Sequence, residues 1–295
     1  MSILDKLFGK SNKLKVDEKK VYKNPTVIYD GREIELKDKD VENLRQYKAN
    51  IEYANAGDVK AQFLAGKALY NYAKYNKFAV EQGKEAVELL KKAAAGGIVK
   101  ANVLVGDYYR NQYLGVEDYT TALEWYKKGA DLKDPESYWA LGRAFDQGEG
   151  VTEDHDRAFT FYLKGAELGE PYSMREVGVA YYEGKYTKRD IKKAYSYLKG
   201  AYEAGIDSCK CGYYLSLYYF NGEIVERNTE KGVQILEKLC SDDVSILEDE
   251  AVELLIYCYE NGIGTSVNRE AADELRLRIK EQNDLFDSVV AAFNN

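Results

Sequence analysis

Proline, histidine and cysteine are scarce in this 295-residue chain, and a basic excess and long apolar runs are missing altogether. The three prolines stand at Pro25, Pro135 and Pro171, so long helices are free of the one residue that reliably breaks them. Net charge is −8. General nucleic-acid binding leaves a basic stripe as its footprint, and an acidic chain argues against it. No apolar run approaches the ~20 residues that span a bilayer. The opening MSILDKLFGKSNKLK has a four-residue apolar set and no small-residue cleavage site. It does not read as a secretory signal, and a cytoplasmic protein is expected. Cys209, Cys211, Cys240 and Cys258 all lie in the last third, at unrelated places in the pattern described next. They form no per-repeat disulfide framework and read as reduced, buried thiols. As metal ligands they fail, because Cys-x-Cys is not a standard zinc spacing and no histidine is near.

What the chain does have is a period. Ala86, Ala122, Ala158 and Ala194 stand 36 residues apart and open stretches of one shape: AVELLKKAAAGG, ALEWYKKGADLK, AFTFYLKGAELG and AYSYLKGAYEAG. Self-similarity at such a spacing marks a solenoid, in which one supersecondary unit is copied and stacked. Each unit holds two helical patterns. The first is clearest in ANVLVGDYY, SYWALGRAF and SMREVGVAY, with small, apolar, glycine and aromatic residues at the fifth, ninth, tenth and thirteenth positions, all read as core, Tyr109, Tyr181 and Tyr219 among them at the thirteenth. Glycine holds the tenth position at Gly66, Gly106, Gly142 and Gly178, which implies helices too close for a Cβ. The second helix opens at Asp118, Asp154, Asp190, Asn228 and Asn268, read as N-caps. Four residues on stands a small residue, and three further on Trp125, Phe161, Tyr197, Ile235 or Leu275, read as one buried stripe.

A turn joins the two helices, seen in full as DQGEGVTED and ENGIGTSVN. The segment GRAFDQGEGVTEDHDRAFTFYLKGAELG resembles the Sel-one-like repeat family, with its pattern LG..Y..G.GV..D...A..WY.KAA..G. The resemblance implies an all-α, right-handed α-solenoid of about six helix-turn-helix repeats, a tetratricopeptide-like superhelix. Residues 1–40 are then an N-terminal extension, with a hairpin signal at 26–36 around Asp30-Gly31. Residues 41–56 read as a capping helix, 57–281 as the six repeats and 282–295 as a C-terminal capping helix. The register drifts from 36 to 38 and then 40 residues by Gly232 and Ala272, with Ser216 and Ile256 at the glycine position. The last two units are therefore expected to stack differently.

Candidate chemistry is thin. His155, in Glu153–Asp156, suggests a metal site or an acid–base pair, but reads better as the acidic start of a helix capped by Asp154. Gly148-Glu-Gly150 and Gly262-Ile-Gly264 lack the preceding strand of a phosphate loop, and Gly9-Lys10-Ser11 lacks the upstream glycine. Nothing calls for a catalytic residue, a metal or a cofactor. Residues 1–12, with Ile3, Leu4, Leu7 and Phe8 on one face, bury too little for stable membrane anchoring and read as a tail.

A partner is expected on the first helices. Their fourth, seventh, eleventh and fourteenth positions form a stripe taken to face a concave groove. In the first unit it is Lys60, Phe63, Lys67 and Tyr70; in the second Lys100, Val103, Asp107 and Arg110. The third gives Glu136, Trp139, Arg143 and Asp146, and the fourth Tyr172, Arg175, Val179 and Tyr182. The last two give Lys210, Tyr213, Leu217 and Phe220, then Glu250, Glu253, Tyr257 and Glu260. The stripe is rich in cations and aromatics, the residues that dominate binding hot spots. The expected function is a non-catalytic scaffold or adaptor that takes a protein or peptide, with an acidic preference, and no nucleic acid; the resemblance implies the same by fold-level analogy. An immunity protein that neutralises a toxic enzyme is an alternative. A cell-envelope binder or hydrolase is a second one, and would call for export and per-repeat disulfides.

Overall fold

The computed structural model describes residues 26–29, 32–35, 37–74, 76, 79–111, 115, 117–205, 208–241 and 249–293. Strands β1 (Thr26–Tyr29) and β2 (Arg32–Glu35) pair antiparallel, with Tyr29 opposite Arg32. Among the described residues thirteen helices follow. A single helix α1 (Asp38–Asn55) precedes six pairs: α2 (Val59–Ala73) with α3 (Val80–Ala95), α4 (Lys100–Arg110) with α5 (Tyr119–Asp131), and α6 (Pro135–Gln147) with α7 (His155–Glu167). Then come α8 (Pro171–Glu183) with α9 (Ile191–Glu203), α10 (Ser208–Asn221) with α11 (Thr229–Ser241), and α12 (Asp249–Asn261) with α13 (Arg269–Phe293). This is an all-α solenoid of helical pairs with a two-stranded appendage. The tail face read on residues 1–12 lies outside the described residues. Residues Met1–Ala158 and Phe159–Asn295 form two compact units.

Within the first unit, α1 lays Val41, Leu44 and Tyr47 into a core shared with Ala65, Leu69, Leu90 and Val105. In the second, Val233, Leu236, Val252, Leu255 and Ala272 form the corresponding core of α11 to α13. The helix pairs close as the glycine register implies. A Cβ at Gly66 would stand 2.9 Å from Leu90 Cγ, and one at Gly178 would stand 2.7 Å from Leu198 Cγ. At Gly106 it would enter the Tyr126 ring. Ser216 and Ile256, at the same register, are buried.

The second-helix caps form as read. The side chains of Asp118, Asp154, Asp190, Asn228 and Asn268 accept from backbone N–H groups in the first turn of the helix, for example Arg157 N at 2.9 Å and Ala271 N at 3.1 Å. The caps also do a second job. Their own N–H groups donate to the carbonyls of Tyr109, Phe145, Tyr181, Tyr219 and Tyr259, nine residues upstream, at 2.7–2.9 Å. The turn is thereby stitched to the end of the first helix in the same way in both units. His155 opens α7 behind the Asp154 cap, with Nδ1 2.9 Å from Asp146 Oδ1 and Nε2 2.9 Å from Glu153 Oε1. First helices have caps that the sequence reading passed over. Pro135 and Pro171 occupy the first helical positions of α6 and α8, where a missing N–H costs nothing. Asp134 and Glu170, both buried, cap those helices through the N–H groups of Ser137 and of Tyr172 and Ser173.

Three expectations shift. The deepest side chain of the second helix is not the aromatic three residues after the alanine but the next one. Trp125, Phe161, Tyr197 and Ile235 are half-buried, whereas Tyr126, Tyr162, Leu198 and Leu236 are buried; only Leu275 follows the expectation. Second, Tyr109 and Tyr219 at the thirteenth position are half-buried rather than core. Third, α13 runs unbroken from Arg269 to Phe293, through the 281/282 boundary drawn between the last repeat and a separate cap.

The second residue after each of α1, α3, α5, α7 and α9 takes a left-handed backbone: Gly57, Gly97, Gly169 and Gly205 have φ between 73° and 96°, and Lys133 has φ 60°. A Cβ meets nothing at those four glycines, so the demand is conformational and not steric. An L-residue there costs about 1–2 kcal/mol, against about 0.5–1 kcal/mol for ordering glycine. Lys133→Gly should therefore stabilise the first unit by about 0.5–1 kcal/mol, read as a higher urea midpoint. A lower midpoint would mean that the Lys133 side chain holds a contact worth more than its strain.

Candidate interaction surface

The first helices of successive repeats lie side by side: α2, α4 and α6 in the first unit, and α8, α10 and α12 in the second. Equivalent positions meet across them. Lys100 Nζ is 3.5 Å from Glu136 Oε1, and both are fourth residues of their repeats. The fourth position is the outward one in the first unit, where Lys60, Lys100 and Glu136 are exposed; at the eleventh Lys67 is exposed, but Asp107 and Arg143 are half-buried. At the seventh, Phe63 and Trp139 are half-buried and Val103 is buried.

The fourteenth position does not belong to the surface as expected. Ten residues of α-helix leave it about 80° round from the fourth position, toward the partner helix. Tyr70 is buried. Phe220 packs over Gly232 of α11, where a Cβ would stand 2.9 Å from its Cζ. Tyr182 meets the edges of Tyr214 and Tyr218 at 4.9 and 5.6 Å. Val179, at the eleventh position, is also buried.

Arg110 and Arg143 are not open groove cations either. Glu149, on the turn between α6 and α7, accepts from Arg110 Nε at 2.7 Å and from a terminal nitrogen of Arg110 at 2.6 Å, a bidentate fork. Arg143 Nε lies 3.8 Å from the same carboxylate, and its guanidinium covers the Trp139 ring at 4.6 Å. A terminal nitrogen of Arg143 reaches the Tyr126 hydroxyl at 3.5 Å, and that hydroxyl donates to Asp107 Oδ1 at 2.8 Å. Asp107 as a residue is half-buried, but its carboxyl is enclosed. Burial raises that carboxyl above the ordinary Asp range, against the pull of Arg143, Tyr126 and Arg110. Burial likewise lifts Tyr126 well above an ordinary tyrosine, with Asp107 adding to it.

The raised Asp107 value has a measurable consequence. Its proton is held to higher pH in the folded chain than in the unfolded one. The contribution is thus fully present below the unfolded value, about 3.9, and is lost as pH rises through the folded value. Asp107→Asn keeps an acceptor for Tyr126 and removes the buried charge. At pH 7 it should raise stability by on the order of 1 kcal/mol. The gain should vanish below about pH 4. Urea midpoints of the two proteins across that range check it; a gain independent of pH would assign the effect elsewhere.

In the second unit the stripe is more aromatic. Tyr172 and Tyr257 are exposed, the latter at 55%. Arg175 is half-buried, donates to Glu176 at 2.9 Å and lies 5.7 Å from the Tyr172 centroid. Tyr213 is half-buried and meets Tyr214 edge-on at 5.4 Å. Lys210 and Leu217 are half-buried, and Glu250 and Glu253 exposed. Glu260 pairs with Arg276 at 2.6 Å. The sequence reading missed Leu64, 40% exposed on α2, and Tyr214, both at the eighth position. It also missed Glu149, which no helical period would place beside two arginines.

Among the described residues no group of three or more His, Cys, Asp or Glu side chains is arranged to hold a metal ion, and no helix is long and apolar enough to cross a membrane. Cys211, Cys240 and Cys258 are buried thiols, and burial pushes Cys258 up to about 11.

Comparison with known proteins follows the same lines. The Sel1 repeat family model matches residues 59–98, 99–134, 135–170, 171–206, 213–244 and 251–272, well over half of the chain. No curated protein matches it. Among solved structures, a protective antigen of uropathogenic Escherichia coli displaying an SLR fold is 25% identical, with a TM-score of 0.63. The match covers 80% of this chain and 48% of the antigen, so the chain spans about half of that protein's length. A Sel1 repeat protein from Oxalobacter formigenes is also 25% identical, with a TM-score of 0.58 and coverage of 75% and 84%. An immunity protein from Pseudomonas aeruginosa reaches a TM-score of 0.39 at 24% identity, covering 70% of this chain and 74% of that one. That likeness is too loose to carry an argument.

Proposed function

The chain belongs to the Sel1 repeat family, and from that premise we propose that it is a non-catalytic interaction scaffold whose partner, a protein or peptide segment with acidic character, lies across the first helices. Sel1 repeats generally mediate protein–protein interaction. The observation that carries the finer reading is the outward face of the first unit. In a protein of net charge −8, Lys60 and Lys67 on α2 and Lys100 on α4 stand exposed, with Phe63 half-buried on α2 and Trp139 half-buried on α6. Cations around half-buried aromatics favour an acidic, amphipathic segment. The buried thiols fit a reducing compartment, and the protein is proposed to work in the cytoplasm.

The test is affinity capture from native cell extract with the wild-type chain and with Lys60→Glu/Lys67→Glu/Lys100→Glu. These lysines are exposed, and the Lys100–Glu136 pair that is lost is a long surface pair at 3.5 Å, so the fold should survive with an unchanged far-UV spectrum and urea midpoint within about 0.5 kcal/mol. Partners held by this face should be lost at least tenfold. Equal recovery by both proteins would remove the face from consideration. Arg143 is unsuited to this test, because reversing its charge would also break the contact with Glu149.

A further inference from the structure

Glu149 holds a position that a partner's group would be expected to hold. Two guanidinium groups from neighbouring first helices converge on it, and only one is satisfied. Arg110 makes two short bonds to its oxygens, whereas Arg143 stays 3.8 Å away, its Nε buried with no hydrogen-bond acceptor. Arg143 is held instead by the face of Trp139 and a long contact to Tyr126. The other carboxyl nearby, Asp107, is occupied by the Tyr126 hydroxyl. The cluster thus has two forks and one carboxylate that hydrogen-bonds a guanidinium, Glu149; Asp107 beside it attracts both arginines and accepts from the Tyr126 hydroxyl. Glu149 reaches it by side chain alone, from a turn whose backbone is fixed on either side. Glu149 N–H donates to Ala144 O at 2.9 Å, and Gly150 packs on the Tyr119 backbone, where a Cβ would stand 3.0 Å from its carbonyl. With that backbone fixed, rotation of the Glu149 side chain is the one movement the exchange requires of this turn. Arg110 keeps 32% of its side-chain exposure, so the site opens to solvent once vacated.

We propose that Arg110, together with Arg143, which stacks on Trp139, forms a carboxylate-binding site of this face, and that Glu149 is its resident competitor, exchanged for a carboxylate of an incoming peptide. Bidentate arginine recognition beside an aromatic suits a carboxylate better than a diffuse acidic surface does. The inference rests on the reading that the first-helix face takes an acidic partner, and it names where that partner's carboxylate goes.

The experiment is calorimetric titration of the full chain with three pentapeptides. One is acetylated and amidated and carries two glutamates, one is neutral with a free C-terminal carboxylate, and one is neutral and amidated. Parallel titrations follow Trp139 fluorescence in a Trp125→Phe background, which leaves Trp139 as the only one of the chain's two tryptophans. Glu149→Gln keeps an acceptor for Arg110 and should tighten carboxylate peptides about tenfold; Arg143→Gln should weaken them by at least as much. The two carboxylate peptides distinguish side-chain from C-terminal recognition, and the amidated neutral peptide should not bind. Glu149→Asp, which keeps the charge but shortens the reach, should fall between wild type and Glu149→Gln. It covers the case in which Glu149→Gln fails to fold, judged by far-UV spectrum and urea midpoint. Affinity unchanged or weakened in both Glu149 variants, or no binding by any of these proteins, overturns the proposal. Lys60→Glu/Lys67→Glu/Lys100→Glu separates the two failures. If it loses extract partners while Glu149→Gln gains no peptide affinity, the face stands and the carboxylate site does not.

Discussion

Leu198→Ala should lower the stability of the second unit by about 2–5 kcal/mol, a range set by the lost transfer energy and the cavity left behind. Leu198 is fully buried on α9, in one stripe with Ala194 and Ala201. It is the side chain that fills the close approach of α9 to α8 at Gly178. Its neighbours on that stripe are alanines, too short to collapse into the void, so the cost should fall in the upper half of the range. Leu168→Ala is the matched control. Leu168 lies in the same unit but is 47% exposed, and its loss should stay within about 0.5 kcal/mol. Urea unfolding followed by circular dichroism gives both numbers. Because repeats are held mainly by nearest-neighbour interfaces, amide exchange in Leu198→Ala should accelerate first in α8 and α9. Equal midpoints for the two variants would mean that α8 and α9 are not packed through this residue.

The period, the caps and the small residues were legible in the sequence because each is a local rule. An Asp or Asn before a helix accepts from the first-turn N–H groups wherever the helix sits. A glycine facing a bulky side chain reads the same in each repeat. Even the drifting register resolves on this basis. The tenth position and its second-helix cap are 12 residues apart in the third, fourth, fifth and sixth units alike. The cap-to-carbonyl bonds at Asn228 and Asn268 match those at Asp154 and Asp190. The added residues of the last two units therefore lie between repeats, and the helix–turn–helix itself is unaltered.

The surface was less legible, for two physical reasons. A stripe drawn on every third or fourth residue rotates as it climbs, so its last member ended against the second helix. Tyr70 is buried and Phe220 packs on Gly232 for that reason, while Tyr182 turns instead to Tyr214 and Tyr218 of the next first helix. The same small phase error put Trp125 rather than Tyr126 at the bottom of α5. The second reason is non-local. Glu149 sits on a turn, and its reach to Arg110, 39 residues away in sequence, depends on how one repeat stacks on the next. The boundary drawn at 281/282 is of another kind, since EQND there contains neither glycine nor proline to stop a helix, and α13 continues through it.

Gly178→Val tests the rule that joins these observations. A Cβ at this position would stand 2.7 Å from Leu198 Cγ and 3.1 Å from the Leu198 backbone nitrogen. Overpacking of this kind costs about 1–3 kcal/mol, even after the gain from removing a helical glycine. Combined with Leu198→Ala, the added methyls enter the space the leucine leaves. The double variant should then be more stable than the two single losses predict, by about 0.5–3 kcal/mol. Rescue stays partial, because the backbone nitrogen does not move. The sixth repeat already carries the exchange. Ile256 is buried at the glycine position, and the residue corresponding to Leu198 is Arg276, whose side chain is 50% exposed and paired with Glu260 and Asp273. There the bulk has passed from the second helix to the first while the pair still closes. Strict additivity in the cycle would mean that position ten and its partner are filled independently, and the succession Gly66–Leu90, Gly106–Tyr126, Gly178–Leu198, Ile256–Arg276 would lose its steric explanation.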